Sequence, residues 1–174
     1  LGTNPIAVAV PDGAGGIAFQ FDFSTSAVAL GRITMAAAAG EEIPLGWAVD
    51  ADGHPTTDPQ AALTGSLVSA GGYKGYGIGL LVEVLAGALT GCRLSVDVPP
   101  LKSPEGEPHD LGQFYVVIDP DSYSGRTFHD RLAALAESIT VQEGARLPGA
   151  GRLPTDPVDV EDSVWTLVTE LAGD

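Results

Sequence analysis

The sequence has little cysteine, little positive charge and no long apolar run. Its one cysteine, Cys92, excludes a disulfide framework and a cysteine-rich metal cluster. Lys and Arg total 8 against 23 Asp and Glu, and the net charge of −15 disfavours nucleic acid and anionic membranes as partners, because both would be repelled. The longest apolar run, residues 78–89, contains Glu83 and is shorter than a transmembrane helix, which needs about 18–20 apolar residues. The chain does not open with a basic segment followed by an apolar one, so we predict no secretory signal and expect a cytoplasmic protein.

The residues that are present suffice for a folded domain. A chain of 174 residues that is 44% hydrophobic and 18% charged is predicted to fold around a core of its own, as one domain. Strand-like alternation and helix-like periodicity both occur, in the order β-β-α-loop-α-β-α-α. The expected fold class is therefore α/β (mixed).

The first two predicted strands, residues 6–10 and 17–23, are joined by a glycine-rich stretch. Residues 13–18 (GAGGIA) formally match the G-x-G-x-x-A pattern of a Rossmann dinucleotide site. That motif requires a helix directly after the glycines, so that the helix N-terminus holds the pyrophosphate. The residues that follow alternate like a strand instead, so we predict a hairpin turn.

The middle of the chain contains two predicted helices. Hydroxyls at residues 24–26 predict the cap of a helix over 27–39, which ends at Gly40. Residues 41–59 are turn-rich and predict an excursion with few regular hydrogen bonds, anchored by residues 47–49. The strongest predicted helix covers residues 78–89.

Glycines spaced by multiples of four accompany that helix, and we expect them to form a face that another part of the backbone can approach closely. They are Gly75, Gly79, Gly87 and Gly91. Glu83, the lone acid of the helix, is expected to face solvent.

The last third of the chain is predicted to alternate between loops and regular elements. Residues 98–110 read as a mobile, proline-rich loop, and the apolar residues 113–118 as a strand in the centre of a sheet. An amphipathic helix is predicted over 127–141 and a weaker one over 158–171.

Few side chains stand out as chemical groups. The glycines of residues 71–77, a helix start and Lys74 together suit a phosphate or carboxylate, although a tight loop with a solvated lysine explains them equally well. Asp22, the one charge in an apolar strand and just before a predicted helix start, either caps that helix or accepts hydrogen bonds from a sugar diol.

The remaining polar candidates are expected to have local roles. The three histidines, His54, His109 and His129, lack metal-ligand spacing, so we predict solvated or locally hydrogen-bonded side chains and no metal site. Cys92 is expected to be a small buried hydrophobe rather than a nucleophile.

Several co-linear motifs nevertheless resemble one family. They are residues 2–5 (GTNP), 22–26 (DFSTS), 53–59 (GHPTTDP), 71–77 (GGYKGYG) and 111–114 (LGQF), the last before a strand ending in IDP at 118–120. In this order and spacing they resemble the malate/L-lactate dehydrogenase family, which also contains ureidoglycolate and sulfolactate dehydrogenases and Δ1-piperideine-2-carboxylate reductases. The likeness extends from Gly2 to about residue 154.

The resemblance implies NAD or NADP as cofactor, bound by a non-Rossmann sheet with packed helices. Asp22, Phe23 and Ser24 would line the nucleotide site, with Asp22 facing the adenosine ribose. Lys74 would reach the cofactor, and Pro148 and Gly149 would belong to a late cofactor-contacting segment. The turn containing Thr3 would lie near the nicotinamide and the substrate.

The resemblance also implies a division of labour. Residues 1–154 would form the NAD(P)-binding core, and residues 155–174 a C-terminal helical tail. The family's catalytic histidine belongs to an N-terminal helical segment that precedes the motif at Gly2, so we expect no catalytic residue in this chain. We therefore expect a homo-oligomer, a second chain that supplies the N-terminal half, or both.

The expected substrate is a 2-hydroxy or 2-oxo acid or a cyclic imino acid, reduced or oxidised by hydride transfer. The alternative is a non-catalytic module that binds a nucleotide or a partner subunit. The choice between NAD and NADP stays open, as does the identity of the acid.

Overall fold

The chain begins with a β-hairpin. A computed structural model describes residues 2–99, 106–150, 160 and 162–172. Strands β1 (Ile6–Pro11) and β2 (Ile17–Phe23) are antiparallel, with Val8 opposite Phe21. This hairpin was predicted from the alternation of apolar residues and is confirmed.

Asp12 closes the hairpin turn. Its Oδ1 accepts hydrogen bonds from the N–H groups of Ala14 and Gly16, at 2.7 and 2.9 Å. These two bonds, of which the one from Ala14 has the larger effect, hold the pKa of the Asp12 carboxyl below its usual 3.8. A strand, not a helix, follows the glycines, so this turn lacks the geometry of a dinucleotide fingerprint.

Helix α1 (Leu30–Ala39) ends at Gly40, whose φ of 69° is the left-handed conformation expected at a helix C-terminus. The predicted start was wrong: the helix begins after Ala29, and no side chain caps it. Ser26 is instead drawn into an antiparallel β-bridge with Ser69, which holds the hydroxyl-rich segment in extended conformation.

The turn-rich segment after α1 contains more regular structure than predicted. Strand β3 (Ala48–Val49) pairs with both β4 (Pro55–Thr56) and β5 (Ser66–Leu67), in the order β4-β3-β5. Helix α2 (Pro59–Thr64) lies between β4 and β5 in the chain, and Asp58 caps it by accepting from the N–H of Gln60. Strands of this length are too short to show an alternating pattern, which explains the wrong prediction.

The main core lies where α1 and α2 meet the small sheet. It consists of Val28, Ile33, Ile43, Ala48 and Ala62, with Ala36, Trp47 and Leu67 packed against it. The predicted anchor at residues 47–49 is confirmed, since Ala48 is fully buried.

Helix α3 (Tyr73–Val82) starts earlier than predicted and continues as a π-helix (Glu83–Ala88). Its glycine face is closely packed, as expected: Gly75, Gly79 and Gly87 are buried, whereas Gly91 is exposed. A Cβ built on Gly75 would lie 1.9 Å from the carbonyl oxygen of Ala70. The apolar face of α3, in contrast, is largely exposed, with Ile78 at 45%.

The predicted central strand at residues 113–118 is wrong. The segment forms no strand, and Val117 is 95% exposed. A strand in the centre of a sheet needs a partner on each side, and the described residues supply neither here. The loop predicted over 98–110 lies partly outside the described residues, since 100–105 are not among them.

Three helices follow: α4 (Asp121–Ser124), α5 (Phe128–Thr140) and α6 (Asp162–Ala172). Helix α5 confirms the predicted amphipathic helix, and its Leu132 is buried. Helix α6 confirms the last predicted helix with shifted bounds. Within the described ranges, no helix combines the length and apolar character needed to cross a bilayer.

Candidate functional site

Main-chain hydrogen bonds join two of the sequence motifs to the residue that precedes a third, the motif at residues 71–77. The carbonyl oxygen of Thr3 accepts from the N–H of Thr25 at 2.8 Å, and the carbonyl oxygen of Thr25 accepts from the N–H of Ala70 at 2.9 Å. Thr25 is buried, with 6% of its surface exposed. The segment at residues 22–26 is thus held between the GTNP turn and the segment that leads into α3.

A cavity of about 120 Å³ lies at this junction, lined by residues that include Gly2, Ser26, Ser69 and Tyr76. Ligand pockets usually have about 300–1,000 Å³, so this cavity is too small to enclose a dinucleotide. Residues of three motifs line it: Gly2, Thr25 with Ser26, and Tyr76.

Asp22 lies near the end of β2, opposite Ala7, and is exposed. It does not cap α1, because no side chain does, so the capping alternative is wrong. Phe23 is half-exposed and stacks on Phe21 with ring centroids 4.9 Å apart. The Ser24 hydroxyl lies 2.9 Å from that of Ser26 and is partly buried.

Pro148 and Gly149 approach the same strand. The carbonyl oxygen of Pro148 accepts from the N–H of Gln20 at 3.2 Å. Gly149 has a φ of 84°, and a Cβ there would lie 2.8 Å from Cγ of Gln20, so only glycine fits this approach. Gln20 is the middle residue of β2 and lies two positions before Asp22, so the late segment lies beside the middle of this strand.

Lys74 lies in the first turn of α3, as predicted, and is exposed. The helix begins after Gly72, which has a φ of 65°, and no side chain of the described residues caps it. Among the residues that the structure describes, Lys74 forms no ion pair. Its ammonium group and the start of the helix leave positive charge accessible beside the junction.

Sequence reasoning missed a polar cluster formed by Asn4, Glu83 and Ser95. The side-chain amide of Asn4 donates to Glu83 Oε1 at 2.8 Å, and the N–H of Ser95 donates to Glu83 Oε2 at 2.9 Å. Glu83 was expected to face solvent, and that expectation is wrong. Its partners are distant in sequence, so no local pattern reveals them.

These bonds set the charge state of Glu83. Partial burial raises the pKa of its carboxyl group, but the hydrogen bonds from Ser95 and Asn4 outweigh that effect. The pKa therefore lies below the ordinary 4.5, and Glu83 is ionised at neutral pH.

The other predicted side chains lie away from this junction. The Nδ1 atom of His54 lies 3.8 Å from Oδ1 of Asp50. One potential ligand atom from each of Asp50, Asp52 and His54 lies within 4.8 Å of the other two. The spacing of the three histidines in the sequence does not reveal this group, since two of its members are aspartates. Exposed carboxylates commonly cluster without binding a metal. Cys92 is a free, half-buried thiol.

The hydrogen bond predicted as one of two roles for His129 is not found at its Nδ1. That atom is buried with no hydrogen-bond partner among the described residues, and the ring packs against the hairpin turn. A Cβ built on Gly13 would lie 2.9 Å from that ring.

Comparisons with known proteins agree on one family. The family model for malate/L-lactate dehydrogenase matches residues 1–160. The (2R)-3-sulfolactate dehydrogenase (NADP(+)) of Chromohalobacter salexigens is 43% identical over 87% of this chain and 45% of its own length. A Δ1-pyrroline-2-carboxylate/Δ1-piperideine-2-carboxylate reductase of Pseudomonas putida is 40% identical over 99% of this chain and 51% of its own length.

Solved structures give the same result. Sulfolactate dehydrogenase from Methanocaldococcus jannaschii matches 99% of this chain and 52% of its own, with a TM-score of 0.82 and 32% identity. A dehydrogenase from Sinorhizobium meliloti gives a TM-score of 0.72 at 36% identity, over 99% of this chain and 48% of its own. The chain spans about half the length of the curated relatives it matches. On this evidence the chain belongs to the malate/L-lactate dehydrogenase family.

Proposed function

We propose that this chain is the coenzyme-binding portion of an oxidoreductase that uses NAD or NADP. Hydride would pass between the nicotinamide and the C2 carbon of a 2-hydroxy or 2-oxo acid, or of a cyclic imino acid. The relatives support this range, since their names specify a hydroxy acid and cyclic imino acids. The observation that carries the proposal is the hydrogen-bonded junction of Thr3, Thr25 and Ala70, because it joins two family motifs and the residue before a third, beside a cavity that all three motifs line.

The donors and acceptors around the junction fit a dinucleotide. Asp22 offers an exposed carboxylate, the kind of acceptor that binds ribose hydroxyls. Lys74 offers an ammonium group at a helix start, which suits a phosphate.

The chain's own task is to bind and orient, since the coenzyme supplies or takes up the hydride when bound. Asp22, Phe23 and Ser24 would hold the adenosine end, and Pro148 and Gly149 would flank it from β2. Lys74 would neutralise phosphate charge. Thr3 would lie at the end of the site where the acid binds.

We further propose a binding mode distinct from a Rossmann fold. The glycine-rich turn at residues 13–16 closes a hairpin with Asp12, so its amide groups at Ala14 and Gly16 are already bonded. The coenzyme would therefore lie at the end of β2 and the start of α3.

The proposed domain organisation leaves proton transfer to another segment. Residues 1–154 would form the core and 155–174 a tail, with the general acid in a helical segment N-terminal to the GTNP turn. Exposed apolar residues such as Val117, which is 95% exposed, support packing against the other half of the enzyme or a second copy.

Calorimetric titration with NADPH and NADH tests the proposal, followed by turnover assays of the full-length protein. The acids to assay are Δ1-pyrroline-2-carboxylate, Δ1-piperideine-2-carboxylate and sulfolactate. We expect saturable binding of at least one coenzyme and coenzyme-dependent turnover of at least one acid. Binding without turnover by the full-length protein would favour a non-catalytic module, and no binding would overturn the proposal.

A further inference from the structure

Both carboxylate oxygens of Glu83 are used by main-chain and side-chain donors from different parts of the chain. Oε1 accepts from the amide of Asn4 at 2.8 Å, and Oε2 accepts from the N–H of Ser95 at 2.9 Å. The Ser95 hydroxyl in turn accepts from the N–H of Gly2 at 2.8 Å. The carboxylate thus connects to the residues on both sides of Thr3.

Asn4 is strongly constrained at this point. It is 8% exposed and has a φ of 41°, in the left-handed region that asparagine adopts more readily than most side chains. Its amide also donates to the carbonyl oxygen of Gly79 at 2.9 Å. The buried amide group is therefore held by two acceptors, and Glu83 is one of them.

Thr3 itself remains exposed while its main chain is fixed. Its carbonyl oxygen accepts from the N–H and the hydroxyl of Thr25, and its neighbours Gly2 and Asn4 are bonded as described. The arrangement leaves the side chain accessible next to the cavity that Gly2 lines. The main chain of the GTNP turn is therefore fixed before any ligand binds, with the Thr3 side chain exposed.

Glu83 also marks a change in helix geometry. Helix α3 ends there and the π-helix begins, and its N–H bonds to the carbonyl oxygens of both Gly79 and Leu80. Short π-helical segments recur at functional sites, where they re-aim side chains. Here the irregular turn brings the carboxylate next to Asn4.

We propose that Glu83 is a positioning residue that fixes Thr3 for the acid substrate. This inference rests on the proposed function, because it assigns Thr3 to the substrate end of that site. The Asn4 amide and the Ser95 N–H donate to different oxygens of Glu83, so the side chain needs two acceptor oxygens, which a carboxylate provides. A glutamine accepts one of these bonds but turns its own N–H₂ group toward the other donor.

Hydrogen exchange with residue resolution tests the positioning without any assay of activity. In the full-length protein, Glu83→Gln is expected to accelerate exchange of the Thr25 amide, which bonds to Thr3, at least tenfold. The Ala27 amide, which bonds to Val68, serves as internal control and should change less than twofold. Glu137→Gln, an exposed change on α5 with the same loss of charge, should alter neither. Equal acceleration at both amides, or none at Thr25, would overturn the proposal.

Steady-state kinetics then test the link to substrate. We expect Glu83→Gln to raise the KM of the acid at least tenfold, with less than a twofold change in coenzyme affinity. In the double variant Asn4→Asp with Glu83→Gln, the glutamine amide donates to the aspartate carboxylate, so donor and acceptor are exchanged. This variant should recover part of the lost affinity. Equal losses for acid and coenzyme, or an unchanged KM, would contradict the role. Absence of turnover in the unsubstituted protein would instead count against the proposed function, and the exchange data would still decide whether Glu83 fixes the turn.

Discussion

The carbonyl oxygen of Thr3 accepts two hydrogen bonds from Thr25, one from the amide at 2.8 Å and one from the hydroxyl at 3.2 Å. Thr25 is buried and also accepts from the Ala70 amide. One residue therefore joins the GTNP turn to the segment before α3. The account of the site depends on this connection.

Replacing Thr25 by valine should lower the free energy of unfolding by about 0.5–1.5 kcal/mol, the usual contribution of one hydrogen bond. The loss is moderate because Thr3 keeps its bond to the Thr25 amide. Urea unfolding measures it, and Thr25→Ser, which retains the hydroxyl, is the matched control. A valine variant as stable as the wild-type protein would mean that the hydroxyl bond contributes nothing.

The glycines of α3 should differ sharply in their tolerance of alanine. Gly75→Ala places a methyl group against the Ala70 carbonyl oxygen, so we expect a loss of about 3 kcal/mol or more. Gly77 has open space around its Cα, and Gly77→Ala should be neutral or stabilising by up to about 1 kcal/mol, since alanine favours helix. Thermal unfolding of the two variants distinguishes them, and similar behaviour would contradict the close approach at Gly75.

The contribution of Glu83 to stability should depend on pH. Its pKa in the folded protein lies below the ordinary 4.5, so the unfolded state binds the proton more readily. The stabilisation is therefore fully present above pH 4.5 and is lost as the pH falls through the lower, folded-state pKa. Asn4 and Ser95, which bond the carboxylate, do not titrate in this range. The difference in unfolding free energy between wild type and Glu83→Gln should shrink on acidification from pH 7, and a constant difference would contradict the assignment.

Lys74 should contribute more to coenzyme affinity than the general attraction of one positive charge, because it would form a direct hydrogen bond to the coenzyme. A charge-assisted hydrogen bond is worth about 1.5–3 kcal/mol, so Lys74→Met should weaken NADPH or NADH binding roughly 10–100-fold. Arg131→Met removes the same charge from the exposed side of α5 and should change affinity less than twofold. Quenching of coenzyme fluorescence measures both, and equal effects would indicate only a general electrostatic contribution.

Elements with a local pattern were predictable from the sequence. The hairpin of β1 and β2 follows from the alternation of apolar residues, and α5 follows from its helical periodicity. The glycine spacing likewise predicted the closely packed face of α3, where Gly75 touches Ala70.

Features that depend on distant partners were not predictable. Residues 113–118 have the composition of a central strand, but a strand forms only when neighbours pair with it. Glu83 resembled a solvated acid because its partner Asn4 is 79 residues away. The sequence identified the motifs of the site, whereas the connection between them required the fold.

A crystal structure of the full-length protein with its bound coenzyme would show whether Asp22 and Lys74 bind the same molecule. We predict that the Asp22 carboxylate and the Lys74 ammonium group each lie within about 3.2 Å of polar atoms of one coenzyme. Coenzyme bound elsewhere, or in contact with neither side chain, would contradict it.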